Sequence, residues 1–310
     1  MERRIIQGHI AVLLAAGFFG LMSPVAKVVM WGGTVDGSVL ATLRIGGSAL
    51  LFWLVSLFAG GGSRERIRRR DWPALIGMSL CGMALNQYCF VVGVQYTSPT
   101  NACVIATSTP VMTMALAALV LHERLTFRKI LGLALGAAGA LTLVLGSSGG
   151  RLGGNPAGDL LCLASQFFAS CYFVFFGRVI RRYSTVTIMK WLFTISAVLS
   201  LPFMAEPLME LPWEKLNTRE WLGAAYVVGV GTFLCYILLI IAQRRLKPPV
   251  VATYNYVQPV VAATAGICWG VDALTLPKCL AVLLIAAGVW FVTRSAGTSV
   301  GTEPSRQNPS

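Results

Sequence analysis

Charged residues are scarce in this chain. They make up 12% of its 310 residues, whereas soluble domains carry about 25%. Hydrophobic residues make up 56%, which is more than a soluble domain of this length can bury. The apolar residues come in runs of about 20, long enough to cross a hydrocarbon core of about 30 Å. The composition therefore excludes a soluble enzyme and predicts an all-α integral membrane protein.

Groups that bind metals or act as nucleophiles are also few. The sequence has two histidines, His9 and His122, and eight cysteines without a CxxC pair. Because the cysteines lie in or beside apolar runs, we predict that they are small buried hydrophobes and neither disulfides nor metal ligands. With no Gly-rich phosphate loop or Ser/His/Asp set in the sequence, we predict no metal, no cofactor and no enzymatic activity.

Carboxylates are missing from the middle of the apolar runs. Asp71, Glu123, Asp159 and Asp272 all lie at run ends or in turns. Proton-driven transporters usually hold titratable groups within the membrane. This pattern favours facilitated diffusion, although proton coupling through carboxylates at the run ends stays open.

The formal net charge of +13 is explained by membrane topology. Lys and Arg collect in the cytoplasmic loops of membrane proteins, so a basic chain of this kind need not bind nucleic acid. Most of the 25 Lys and Arg residues fall in segments on the same side as the N-terminus. The pattern predicts cytoplasmic N- and C-termini, a disordered cytoplasmic tail at 295–310 and no nucleic-acid partner.

The chain contains an internal duplication. Residues 101–139 recur at 250–288 without a gap, so that residues 149 apart correspond and Pro110 matches Pro259. Self-similarity at a fixed offset indicates two copies of one structural unit. The duplication is therefore the feature from which we predict the fold.

Ten apolar runs predict ten transmembrane helices. Five belong to a first repeat at 1–146 and five to a second at 157–294, with a linker at 147–156. Because five crossings leave the chain on the other side, the repeats are inverted, an architecture in which secondary transporters bind substrate between the repeats. The predicted spans are about 9–30, 38–59, 72–94, 99–121, 126–146, 157–178, 185–204, 220–241, 249–270 and 276–293.

The two matched prolines fall near the middle of the fourth and ninth predicted spans. Proline lacks an N–H and frees the carbonyl four residues back, which belongs to Ala106 for Pro110 and to Asn255 for Pro259. A plain packing kink is the structural alternative. The matched positions favour helix kinks that line a wet cavity, where a freed carbonyl is tolerated.

Polar side chains collect around these prolines. Amides and hydroxyls in hydrocarbon need partners and should face the interior of the bundle. Hydrogen bonding between helices accounts for any one of them, whereas the set predicts a polar and aromatic pocket for a small amphipathic molecule. The predicted substrate-binding residues are Asn86, Gln87, Tyr88, Asn101, Ser108, Gln166, Tyr236, Tyr254, Asn255 and Gln258.

Two positive charges, Lys27 and Arg44, lie well inside apolar runs of the first half. Long basic side chains can extend to the membrane surface. Alternatively, these two attract a carboxylate or phosphate on a substrate near the cavity. The fifth and tenth spans are rich in small residues, such as Gly139 and Gly288, which predict close packing within the chain or a homodimer seam.

The duplicated pattern resembles the EamA repeat of the drug/metabolite transporter superfamily. Each copy has Pro-Val, then an acidic-x-Leu-Thr turn, then a Gly/Ala-rich helix, starting from Pro110 and from Pro259. The second copy departs from the family pattern with Asp272 in place of the usual Glu. It also has Phe193 where the first has Arg44, so no symmetrical role is expected for the arginine.

The resemblance implies a ten-helix inner-membrane carrier with a central cavity. Members export amino acids, other metabolites or drugs. We therefore predict an alternating-access carrier that exports small metabolites, with amino acids or related compounds as the substrate class and membrane lipid as its surroundings. The alternatives are uptake, multidrug efflux, a membrane-embedded lipid enzyme and a non-transporting scaffold.

Overall fold

A computed structural model describes residues 2–58, 65–120, 127–146, 155–180, 182–243, 245 and 254–297. Within these ranges the chain is helical and contains no strand. The α-helices are α1 Glu2–Met30, α2 Gly37–Phe58, α3 Trp72–Met78, α4 Asn86–Tyr96, α5 Pro99–Ala106, α6 Thr109–Val120, α7 Phe127–Gly146, α8 Pro156–Ile180, α9 Thr185–Met209, α10 Thr218–Ala225, α11 Cys235–Gln243, α12 Val257–Cys268 and α13 Leu276–Gly297.

Several helical runs are long and apolar enough to cross a membrane. Among the described residues there are six: Arg4–Met30, Gly37–Phe58, Arg69–Tyr96, Pro99–Val120, Pro156–Phe176 and Thr218–Ala242. The other four predicted spans coincide with shorter apolar helices: Ile130–Gly139, Val186–Pro202, Val257–Cys268 and Leu276–Gly288. The prediction of an α-helical, multi-pass membrane protein is confirmed.

Three predicted features fall wholly or mainly outside the described residues. They are the turn with Glu123, the linker as far as residue 154 and the tail from residue 298 onward. At the two borders, Pro156 already belongs to α8 and α13 continues to Gly297. The helices of the predicted second repeat therefore extend slightly beyond its limits of 157 and 294.

Two helical runs widen into π-helix at matched positions. The segment π1, Ser79–Leu85, joins α3 to α4, and the segment π2, Tyr226–Leu234, joins α10 to α11. Gly82 in π1 and Gly231 in π2 are equivalent in the duplication. A Cβ on Gly82 would stand 2.4 Å from the ring of Tyr172, and one on Gly231 would stand 3.0 Å from a side chain of α1. Glycine thus lets π1 approach α8 and lets π2 approach α1.

The packing of helices follows the duplication. Helix α1 packs on α11 and α12, and its equivalent α8 packs on the corresponding helices α4 and α6. Helix α2 packs on its own equivalent α9. Phe52 of α2, fully buried, stacks on Phe193 at 5.5 Å and meets the edge of Phe233 at 4.9 Å. These rings fill the space between α2, α9 and π2.

Helices α7 and α13 meet through their glycines. A Cβ on Gly288 would stand 2.7 Å from the carbonyl oxygen of Gly132, and one on Gly139 would stand 2.6 Å from Ile285. The small residues are therefore used inside the chain, which is one of the two roles predicted for them. A homodimer through these helices stays a prediction, and it would have to use their outer faces, where Leu141 and Leu283 are exposed.

Candidate functional site

The helix that carries Pro110 is broken in two. Helix α5 ends at Ala106 and α6 begins at Thr109, so Pro110 is near the start of a new helix, where its missing N–H costs little. The hydroxyls of Thr107 and Ser108 donate to carbonyls three residues back, both at 2.6 Å. The carbonyl of Ala106 lies 2.7 Å from the hydroxyl of Thr109. The freed carbonyl predicted to line a cavity thus has a local partner, and so does Ser108.

The second half also has its matched proline in the first turn of a helix. A 3-10 turn, Tyr254–Tyr256, precedes α12, and Pro259 is near the start of that helix. The amide nitrogen of Gln258 lies 3.3 Å from Oδ1 of Asn255. The backbone of Gln258 is close to α1, since a Cβ on Gly20 would stand 2.8 Å from its carbonyl oxygen. Asn255 and Gln258 therefore lie beside the middle of α1.

Tyr254 lies farther along α1, toward its beginning. Its hydroxyl is 2.9 Å from Nδ1 of His9, and the two rings are tilted with centroids 6.0 Å apart. Nothing in the sequence indicates that these two residues are partners, because 245 positions separate them. This contact joins the start of α1 to the turn before α12.

A chain of amides and hydroxyls runs from α6 through α8 to α4. The hydroxyl of Thr109 is 2.7 Å from Oε1 of Gln166, and its single proton is shared between this oxygen and the Ala106 carbonyl. Gln166 donates to the hydroxyl of Ser165 at 3.2 Å. Asn86 donates to the carbonyl oxygen of Ser165 at 2.8 Å and to its hydroxyl at 3.0 Å. Two predicted site residues, Asn86 and Gln166, are thus connected.

Arg44 is buried about two turns into α2, with 5% of its surface exposed. Its Nε donates to the hydroxyl of Thr232 in π2 at 2.7 Å. The Thr232 hydroxyl donates its own proton to the carbonyl of Val227, 2.8 Å away. It therefore accepts the hydrogen bond from the arginine. Thr232 directly follows Gly231, which the duplication matches to Gly82. This match is the only feature of the sequence that draws attention to Thr232.

Tyr236 and Gln87 both contact the side chain of Met83. The hydroxyl of Tyr236 is 3.9 Å from the Met83 sulfur, and the amide nitrogen of Gln87 is 3.5 Å from it. The ring of Tyr236 meets Phe193 and Phe19 edge-on, at 5.7 and 6.1 Å. Thr232, which accepts from Arg44, lies four residues before Tyr236 in the same helical run. The predicted residues Gln87, Tyr236 and Arg44 therefore belong to one region, which we call the central cluster.

Lys27 is engaged elsewhere, at the turn between α4 and α5. Its ammonium group donates to the carbonyl oxygens of Val94, Gln95 and Thr97, at 3.1, 2.6 and 2.8 Å. These carbonyls end α4, and a cation at a helix C-terminus is favourable. Because Lys27 donates to three carbonyls at the end of α4, it caps this helix. The sequence had suggested only that Lys27 extends to the membrane surface or attracts a substrate anion.

Asn101 belongs to the same turn. Its amide nitrogen is 3.2 Å from both carboxylate oxygens of Asp159, and Thr97 donates its hydroxyl to the same carboxylate. Asp159, in the first turn of α8, is fully buried. Asn101 is thus placed with Asp159 and Lys27, apart from the central cluster, and sequence reasoning missed Asp159 as its partner. Tyr88 is half-buried and packs on the core.

Comparisons with known proteins agree on one family. The family model described as "EamA-like transporter family" matches twice, at residues 6–145 and 156–294. An uncharacterized inner membrane transporter of Salmonella typhimurium, YicL, is 23% identical over 288 residues, covering 93% of this chain and 95% of the relative. The uncharacterized inner membrane transporter YedA of Escherichia coli K12 is 27% identical over 283 residues, covering 86% of this chain and 88% of the relative.

More distant similarity reaches plants and a solved structure. A WAT1-related protein of Arabidopsis thaliana is 22% identical over 318 residues, covering 91% of this chain and 83% of its own. A crystal structure has a TM-score of 0.61 at 20% identity, covering 97% of this chain and all of the other. At that identity the structural match concerns the fold alone.

Proposed function

The chain belongs to the EamA-like transporter family of the drug/metabolite transporter superfamily, and from this premise we propose that it is an alternating-access carrier that exports small metabolites. Amino acids or related compounds are the substrate class we propose. The location we propose is the inner membrane, which is where the names of YicL and YedA place those relatives.

The matched packing of the two halves is the observation that carries the proposal. We propose ten spans in two inverted repeats, 1–146 and 157–294, with both termini in the cytoplasm. In support, α1 meets α11 and α12 as α8 meets α4 and α6, and π1 and π2 occur at equivalent positions. Two inverted copies give two arrangements of similar energy, each open to one side of the membrane.

We propose that the binding site lies between the α5–α6 break and α12. Its polar groups are those of the central cluster, of the Asn86–Gln166 chain and of the pair Asn255 and Gln258. The amides would hold the polar groups of the substrate, and the rings of Tyr236 and Phe19 would face its apolar part. Asn101 bonds Asp159 at the α4–α5 turn, Tyr254 bonds His9 near the start of α1, and Ser108 donates to a carbonyl three residues back. We therefore assign these three residues a supporting role.

Counterflow in proteoliposomes tests this proposal. Vesicles that contain the purified protein are preloaded with unlabelled amino acids, and uptake of labelled amino acids is followed without an ion gradient. We expect uptake by the wild type and its loss in Asn255→Ala and Gln258→Ala. Thr264→Ala is the matched control, because Thr264 lies on the exposed face of the same helix. Normal counterflow by both site variants would overturn the proposed site.

The direction of transport is a separate part of the proposal. Counterflow measures the exchange of labelled for unlabelled substrate. An importer or a multidrug exporter would therefore give the same result as the proposed exporter. Net flux from preloaded vesicles under an imposed substrate gradient, with protein orientation determined by protease accessibility, separates export from import. A flux that requires an added proton gradient would replace facilitated diffusion with proton coupling.

A further inference from the structure

The charge of Arg44 lacks a counter-ion within the described part of the chain. Its one hydrogen bond to a described residue goes to the neutral hydroxyl of Thr232, and no carboxylate of a described residue lies within ion-pair distance. An isolated charge in a low-dielectric interior is costly unless it is paired. A buried arginine of this kind within a membrane span is a sign of function.

Other basic side chains that are buried or partly buried among the described residues are accommodated by the protein itself. Lys27 uses its three protons on backbone carbonyls. Lys278 is paired with the buried carboxylate of Asp272 at 2.5 Å. Lys190 lies over the ring of Trp53, 4.4 Å from its centroid, in a cation–π contact. By contrast, the guanidinium of Arg44 keeps N–H groups that no described side chain or carbonyl accepts.

Two polar atoms, one in the central cluster and one on the helix of Arg44, also have unused hydrogen-bonding capacity. Oε1 of Gln87 and Oγ of Ser48 are buried and have no hydrogen-bond partner among the described residues. Ser48 lies one turn from Arg44 on the same helix face. The hydroxyl of Tyr236 has only the Met83 sulfur, at 3.9 Å, as its described partner. The region thus offers two kinds of donor, from Arg44 and Tyr236, and one carbonyl acceptor, from Gln87.

The second repeat carries no equivalent charge. The position matched to Arg44 is Phe193, which is fully buried and packs on Phe52 and Tyr236. The central cluster therefore has a single positive charge, set asymmetrically among aromatic rings. One carboxylate would neutralise it, whereas a phosphate monoester brings about −1.5 to −2 charges at neutral pH.

We propose that Arg44 binds the carboxylate of the transported molecule, with Tyr236 as a second donor and Oε1 of Gln87 as the acceptor for an N–H of the same molecule. This assignment rests on the proposed carrier function and adds to it the chemical group that the site selects. It predicts that a substrate loses recognition when its carboxylate becomes a neutral carboxamide, although size and apolar side chain are unchanged.

The experiment compares two labelled probe mixtures in counterflow: the standard amino acids and the corresponding amino-acid carboxamides. We expect the wild type to exchange the amino acids at least about tenfold faster than the carboxamides, the loss that follows when a site built for a polar group leaves its partners unpaired. Arg44→Gln should lose most amino-acid exchange and its preference over the carboxamides. Lys190→Gln, which changes a buried cation outside the cluster, should keep the preference.

Unfolding temperature in detergent separates this inference from the carrier function. The amino-acid mixture should raise the unfolding temperature of the wild type, the carboxamides should not, and Arg44→Gln should respond to neither. If no probe is exchanged but this binding pattern holds, the carrier function fails and the role of Arg44 stands. Equal responses of the wild type and Arg44→Gln, or no response of the wild type, would overturn the role of Arg44.

A structural role for Arg44 predicts a different result. If the arginine served only to bond Thr232, Arg44→Gln would lower the unfolding temperature without any probe. Removal of an unpaired buried charge should instead leave that temperature unchanged or raise it. Arg44→Lys keeps the charge and loses the fork of donors, so it should retain part of the preference for carboxylates.

Discussion

The backbone N–H of Thr100 donates to Oδ2 of Asp272 at 2.8 Å, which ties the turn before α13 to the beginning of α5. The other oxygen of the same carboxylate is 2.5 Å from the ammonium of Lys278. All three residues are buried. The duplication matches Asp272 with Glu123. Asp272 accepts from the first turn of a helix of the opposite half.

Asp272→Ala should therefore destabilise the protein strongly. Removal of one partner of a buried ion pair costs about 3–5 kcal/mol, because the other charge is left unpaired. We expect a lower free energy of unfolding in a denaturant titration of the detergent-solubilised protein. The double variant Asp272→Ala/Lys278→Met should recover part of the loss. An unchanged Asp272→Ala protein would show that the pair does not hold this turn.

Lys27→Met should weaken the fold but spare substrate preference. The substitution leaves the carbonyls of Val94, Gln95 and Thr97 without their charged donor, and one such bond contributes about 1.5–3 kcal/mol. The free energy of unfolding should fall by at least this much. The surviving protein should still prefer amino acids to carboxamides in counterflow. Loss of that preference with an unchanged free energy of unfolding would show that Lys27 acts in substrate binding.

Gly82→Ala tests the close approach of π1 to α8. The added methyl would stand 2.4 Å from the ring of Tyr172, and overpacking of this kind costs about 1–3 kcal/mol. Gly229→Ala is the matched control in π2, because no atom lies within 4 Å of a Cβ there. The free energy of unfolding should fall for Gly82→Ala alone. Equal effects of the two variants would contradict the packing described here.

Gly288→Leu distinguishes packing within the chain from a dimer seam. The side chain would meet the backbone of α7, with its Cβ 2.7 Å from the carbonyl oxygen of Gly132, and backbone cannot move aside cheaply. We expect misfolded protein, detected as loss of a single symmetric peak in size-exclusion chromatography. Leu283→Ala, on the exposed outer face of α13, should leave that peak intact. A folded monomer from Gly288→Leu, with a dimeric wild type, would place the glycines at a subunit interface.

The sequence was sufficient for the class of fold, because length and hydrophobicity are local properties. The apolar runs became helices, and the duplication correctly pointed to the EamA family. It also marked Pro110 and Pro259 as matched positions, but not the complete break in the helix. That break depends on the hydroxyls of Thr107, Ser108 and Thr109, which can satisfy the freed carbonyls locally.

The candidate site was less predictable, because partners far apart in sequence decide the role of a polar residue. Lys27 and Arg44 had the same description as buried cations. Lys27 meets carbonyls about 70 positions away, whereas Arg44 meets a hydroxyl 188 positions away. Asn101 and Gln87 likewise looked equivalent as buried amides. Only the packing of α8 on the α4–α5 turn places a carboxylate, Asp159, beside Asn101.

Counterflow of labelled amino acids into proteoliposomes, without an ion gradient, tests the central claim most directly. Wild-type protein should accumulate label when the vesicles are preloaded with unlabelled amino acids, and Gln258→Ala should not. Uptake that appears only after a proton gradient is imposed would show that transport is coupled to protons. No uptake of any amino acid under either condition would contradict the account that this protein carries them.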